Sequence, residues 1–374
     1  VTRVGLCAPG FEQVAEIFES IHGGNAIGAS FAATHHGAQV IDLWDGMRPD
    51  GKPWDGDTKC VIASGTKGVM AVAILICVER GLVDLDAPVA SVWPEFAHGG
   101  KGGITIGDAL AHLAGVPGLE RKVTPHEFAD TVYMARLVAE QEPFVPIGHP
   151  SYHAATFGWI ASEIIRRVDG RSAGTFIADE IAGPLALDLF VGAPESVFSD
   201  ITPTTRSKDF NYTALLNPDA DPRLRYVYGV LPPELLGSTA IARLEFPGGG
   251  GVATAHAMSR LYAALVNGGE LDGVRIVNPE TIALGLRQRS AGDDPLSGRF
   301  LRFGVGFELN PNPSCLGEPV DAFGHTGAGG STHGGWPTQG VSFSYVMGEF
   351  RPETNDGRAR RILTALVEAL ERHA

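Results

Sequence analysis

The sequence predicts an α/β (α+β) protein of two lobes, and three observations carry that expectation. The chain's 374 residues exceed what one small core organises. Helix-like and strand-like runs occur together at both ends, whereas the middle is mainly helical with long loops. Terminal segments of similar character can share one sheet. The expected division is therefore an α/β lobe from about 1–62 and 250–374, with a mainly helical lobe from about 63–249 inserted into it.

Each element has its own signal. Residues 11–22 repeat apolar positions at helical spacing and stop at Gly23-Gly24. Strand-like runs follow at 28–34 and 38–44, with His35-His36-Gly37 as a hairpin turn between them. Residues 64–80 read as an apolar helix closed by Gly81. Thr105 and Asp108 suggest a cap opening a short helix through His112. Further helices are expected at 154–168 and 253–267, with loops over 195–250. The tail reads as strands at 303–309, 321–326 and 341–347 and a last helix from 358 to 373.

Composition excludes several classes of function. A net charge of −14 lacks the basic footprint needed for nucleic acid or an anionic membrane surface. The apolar run 68–78 is shorter than the roughly 20 residues of a spanning helix. The four cysteines are scattered, which argues against a zinc or redox motif. The histidine pair His35-His36 lacks a third ligand nearby, so no metal is expected. Cysteine usage and the absence of a leader-like start at Val1 lead to the expectation of a cytoplasmic protein, with room for a cleaved leader upstream.

The chemistry centres on Ser64-Gly-Thr-Lys67. Residues three apart share a helix face, so the Lys67 amine can reach the Ser64 hydroxyl. Lys67 is the sole charge between Cys60 and Val78. A lysine in such surroundings needs polar partners or a lowered pKa, and once deprotonated it can act as a base. The competing reading makes Ser64 a helix cap and sends Lys67 to solvent. Tyr152 precedes the 154–168 helix in a Pro/Gly-rich loop, and a phenol there can serve as base if a cation such as Lys67 lowers its pKa. The stretch Gly324-His-Thr-Gly327 could let a substrate lie along an exposed strand. A rival nucleophile is Ser172 in Gly170-Arg-Ser-Ala-Gly174, but a G-x-S-x-G elbow needs a strand leading in, and a helix precedes it here.

Taken in order, Ser64-x-x-Lys67, Tyr152 and His325-Thr326-Gly327 resemble the motifs of serine β-lactamases and penicillin-binding proteins. The flanks 78–88 and 104–117 match as well, and the closest resemblance is to the family VIII carboxylesterases, which share a class C β-lactamase-like fold. That resemblance implies an antiparallel sheet flanked by helices, a mainly helical lobe, and an active site between them. It implies that Ser64 attacks a carbonyl while Lys67 and Tyr152 move its proton. The Ser64 and Ala328 backbone N–H groups would form an oxyanion hole, with His325, Thr326, Gly327 and His153 touching substrate. Neither metal nor organic cofactor is implied; the partner is a small-molecule ester. Two departures favour an uncharged ester over a penicillin: Ala154 replaces the asparagine of Tyr-x-Asn, and His325 replaces the lysine of Lys-Thr-Gly. His112, His256 and His333 are read as pocket-wall or surface residues. The alternatives are a β-lactamase or D-peptidase, an acyltransferase, and a catalytically silent ligand sensor.

Overall fold

A computed structural model of the chain describes residues 5–24, 27–210, 221–310, 315–352 and 356–372. The terminal runs form one nine-stranded antiparallel sheet. Its strands are β1 (Gly5–Cys7), β2 (Ala29–His35), β3 (Ala38–Asp45), β4 (Ser290–Asp293), β5 (Phe300–Phe303), β6 (Glu308–Leu309), β7 (Phe323–Thr326), β8 (Thr332–Trp336) and β9 (Val341–Met347). Their spatial order is β1-β3-β2-β9-β8-β7-β6-β5-β4, so the first strands pair with the last through β2 and β9.

Helices cover both faces. The longer helices are α1 (Glu12–His22), α2 (Thr66–Glu79), α3 (Thr131–Glu140), α4 (Thr156–Asp169), α5 (Ala255–Val266) and α6 (Arg358–Glu371), of which α1 and α6 pack on one face of the sheet and α5 on the other. Side chains alternate along β9. Phe343 and Tyr345 join Phe18 of α1 and Ile362 and Leu366 of α6 in one core. From the other face of β9, Ser342 donates from Oγ to Ser259 O of α5 at 2.7 Å. α2 is buried from Thr66 to Cys77. A helix apolar on every side belongs inside, and α2 packs against α4 and the sheet at β7.

Most predicted elements are present within a residue or two. The exceptions have local causes. The run 303–309 is two strands, β5 and β6, paired at Phe303 and Glu308 around a turn with Gly306 at φ 71°. β8 carries two adjacent glycines and no alternation, and it is a strand because β7 and β9 pair with it on both sides. α3 is a helix the sequence reading does not include, although Met134, Leu137 and Val138 form its buried face; Asp130 caps it by accepting from Tyr133 N at 2.9 Å. The predicted final-helix residue His373 and part of the 195–250 loops, 211–220, lie outside the described residues.

Candidate active site

A short three-stranded sheet delivers Ser64. Cys60–Val61 and Leu189–Phe190 flank Val252–Ala253, and the chain then enters a 3-10 turn, Ala63–Gly65. Ala63 has φ 46°, a left-handed conformation that costs a non-glycine residue roughly 1–2 kcal/mol. Tertiary bonds hold it there. Thr66 Oγ1 donates to Ala63 O at 2.7 Å and accepts from Gly251 N at 2.9 Å. Ser331 Oγ donates to Ile62 O at 3.1 Å. Gly327 passes so close that a Cβ on it would lie 2.6 Å from Ile62 O and 3.3 Å from Ala63 Cβ. The end of β7 is thereby pinned against the Ser64 turn, and glycine is required at the crossing.

Lys67 is fully buried in the first turn of α2. Its Nζ lies 3.1 Å from Ser64 Oγ, 2.7 Å from Ala154 O and 2.6 Å from Gly248 O. These partners are uncharged, and burial lowers the amine's pKa to about 7. A neutral amine has two hydrogens and one lone pair. The two carbonyls take the hydrogens, which leaves the lone pair facing the Ser64 hydroxyl. The solvent-directed lysine of the competing sequence reading is therefore absent.

Tyr152 approaches from the loop before α4. That loop is fixed from two sides: Ser151 Oγ donates to Asp294 Oδ1 at 2.9 Å, and the N–H groups of Ser151 and His153 donate to His112 O and Nδ1 at 3.1 and 3.0 Å. The Tyr152 hydroxyl hydrogen-bonds the Ser64 side chain, and its ring centroid lies 5.1 Å from Lys67 Nζ. Burial pushes the phenol well above its usual value, and the bond to Ser64 offsets this only in part. The cation that would have to acidify the phenol, Lys67, is itself driven toward its neutral form by burial, so the direction at Tyr152 is upward.

The expectation that His153 touches substrate is corrected. His153 is fully buried; its Nδ1 donates to Ser151 O at 2.6 Å and its Nε2 accepts from Val116 N at 3.3 Å. Both ring nitrogens brace the Tyr152 loop, and the ring does not line the cleft. His112 and His333 are buried too, while His256 pairs with Asp42 at 2.7 Å; none of the three lines the cleft.

Across the cleft, His325 donates from Nδ1 to Thr326 O at 2.6 Å, and burial, with a smaller effect of Lys67, lowers its pKa to about 3. It is uncharged at neutral pH. Thr326 gives both its hydroxyl and its N–H to Glu308 Oε2, at 2.9 and 3.2 Å. The N–H groups of Ser64 and Ala328 have no backbone acceptor among the described residues, and both residues border the cleft. The remaining wall is mostly apolar, including Val227, Leu231, Leu236, Ile241, Phe246 and Leu301. Its charged members are Arg299 and Glu308.

Ser172 is elsewhere. It is an exposed cap of the short helix Ala173–Ile177 and accepts from Thr175 N at 3.3 Å. Among the described residues no cluster of three His, Cys, Asp or Glu side chains could hold a metal, and no helix is long and apolar enough to cross a membrane. Sequence reasoning missed Gly248, the Ala154 carbonyl as an acceptor in the site, and Glu308. The first two act through backbone oxygens, which carry no side-chain signal. Glu308 is recognisable only once β6 and β7 are paired.

This frame and the Ser64–Lys67–Tyr152 grouping are those of a serine hydrolase with the beta-lactamase fold. Residues 14–367 match the family described as Beta-lactamase, and the chain belongs to that family. It is 34% identical to the Mycobacterium tuberculosis protein named Esterase/beta-lactamase LipL over 358 residues, covering 91% of this chain and 82% of that one. A solved family VIII carboxylesterase superposes with a TM-score of 0.90 at 31% identity, covering 99% of this chain and 100% of the other. A penicillin-binding protein homologue from Caulobacter crescentus gives 0.88 at 34% identity, with coverage of 99% and 100%. The resemblance read from the motifs is borne out.

Proposed function

We propose that the protein hydrolyses carboxylic esters through an acyl-enzyme on Ser64. The observation that carries this is the buried Lys67 amine, whose Nζ lies 2.7 and 2.6 Å from the carbonyl oxygens of Ala154 and Gly248 and 3.1 Å from Ser64 Oγ. Lys67 takes the serine proton as Oγ bonds to the ester carbonyl carbon. The Ser64 and Ala328 N–H groups receive the developing oxyanion. Tyr152, still protonated, gives its proton to the departing alcohol oxygen and is reprotonated from Lys67. Water then repeats the sequence and releases the acid. No step calls on a metal or organic cofactor.

An uncharged ester is the substrate class the wall supports. A β-lactam carboxylate would meet a neutral His325 in place of a lysine, and a Thr326 hydroxyl already committed to a carboxylate. The apolar wall suits a hydrocarbon acyl or alkoxy group; a short acyl chain is the starting choice. The test compares p-nitrophenyl butyrate and a chromogenic cephalosporin with wild type and Ser64→Ala. Ester turnover that vanishes in the folded mutant, with little cephalosporin turnover, is expected. Retained esterase activity in Ser64→Ala would overturn the proposal, and cephalosporin turnover matching the ester would reassign the substrate.

A further inference from the structure

The segment carrying the Ala328 N–H is held from behind by a buried ion pair that does not border the cleft. Arg358 opens α6 and is 6% exposed. Its guanidinium pairs with Asp356, from Nη2 to Oδ2 at 2.6 Å and from Nε to Oδ1 at 2.8 Å. The same Nη2 donates to Gly329 O and to Glu349 O, each at 3.0 Å. Gly329 O also accepts from Arg351 N at 3.2 Å. Gly329 and Gly330 have φ 84° and 113°, and a Cβ on Gly330 would collide with Asp356. Two glycines in succession make a segment with little intrinsic conformational preference. On the cleft side the turn closes through Gly327 N to Ser331 O at 2.8 Å and Gly330 N to Gly327 O at 3.1 Å. Gly329 O belongs to the Gly329–Gly330 peptide, whose N–H donates to Gly327 O, and Gly327 O is the carbonyl of the peptide that carries the Ala328 N–H, so the grip of Arg358 reaches that N–H through this turn.

We propose that Arg358, anchored by Asp356, is a positioning residue that sets the direction of the Ala328 N–H and so tunes the oxyanion hole from outside the cleft. The proposal rests on the reading above that Ala328 receives the oxyanion. A guanidinium suits the task because one rigid fork satisfies a carboxylate and two carbonyls at once. Lysine keeps the charge but lacks the fork, so it cannot hold all of these acceptors in place.

The test uses the full chain as Arg358→Lys and Asp356→Asn, with thermal unfolding as a check of folding. Four quantities are read: amide hydrogen exchange over 327–331, affinity for a phenylboronic acid that bonds to Ser64, and kcat and KM for p-nitrophenyl butyrate. In a folded variant, exchange should quicken, boronate affinity should fall, and kcat should drop about 10- to 100-fold with KM within a few-fold. A merely structural role would lower the melting temperature and leave kcat and boronate affinity of the folded fraction unchanged; that result overturns the proposal. So does a kcat loss without faster exchange. If wild type turns over no ester, the ester reading fails, while the exchange and boronate arms still decide the positioning role.

Discussion

Gly248 O accepts from Lys67 Nζ at 2.6 Å across a separation of 181 residues. With Ala154 O it occupies two of the amine's hydrogens, and this aims the lone pair of the neutral form at Ser64. Removing the amine should therefore cost more than a charge. In Lys67→Ala, kcat/KM for an activated ester should fall by about 10²–10⁴, the usual contribution of a positioned base. Steady-state kinetics of the folded variant check this, and a loss under tenfold would relieve Lys67 of the role.

The pH dependence follows from the same burial. Lys67 acts as a base only when neutral, and its pKa is lowered to about 7. Activity should rise with pH through about 7 and approach a plateau above it, with Tyr152 still protonated there. The linkage has a definite sign. Between about 7 and the unfolded lysine value near 10.5, the unfolded chain binds the extra proton, so stability should rise with pH in that window. Denaturant unfolding of wild type and Lys67→Met at several pH values measures it; an equal slope in both proteins would refute the assignment.

Restoring a cation on β7 should shift substrate preference. His325→Lys would place a charge where the wild-type ring is neutral. A charge-assisted hydrogen bond is worth about 1.5–3 kcal/mol, so acylation by a carboxylate-bearing cephalosporin should increase on the order of 10- to 100-fold. Stopped-flow acylation rates test this. An unchanged rate would mean that Glu308, through Thr326, governs the preference by itself.

The crossing at Gly327 should tolerate no side chain. Gly327→Ala would press on Ser331 Oγ and, at 2.6 Å, on the backbone Ile62 O. The carbonyl cannot rotate away as a side chain can, so a loss of about 1–3 kcal/mol is expected, together with a drop in kcat as the Ser64 turn shifts. Adding Ser331→Ala should restore little. Full recovery in the double variant, seen by thermal unfolding and kinetics, would show that the side chain was the obstacle.

The sequence by itself determined the fold class, the apolar helix that holds Lys67 directly after Ser64, and the order of Ser64, Lys67, Tyr152 and His325-Thr326-Gly327. These are local: periodicity names an element, and an i, i+3 spacing on a helix fixes which side chains meet. Tertiary structure decided what those residues are chemically. The Lys67 pKa depends on burial, and the placing of its amine on two carbonyls from distant loops. The Tyr152 pKa is pushed upward by burial, which the bond to Ser64 offsets only in part. His153, next to Tyr152 in sequence, faces away because both its nitrogens are taken by backbone groups of 116 and 151. Glu308 reaches Thr326 only because β6 pairs with β7. Desolvation and long-range hydrogen bonds are properties of the packed chain, and no window of residues contains them.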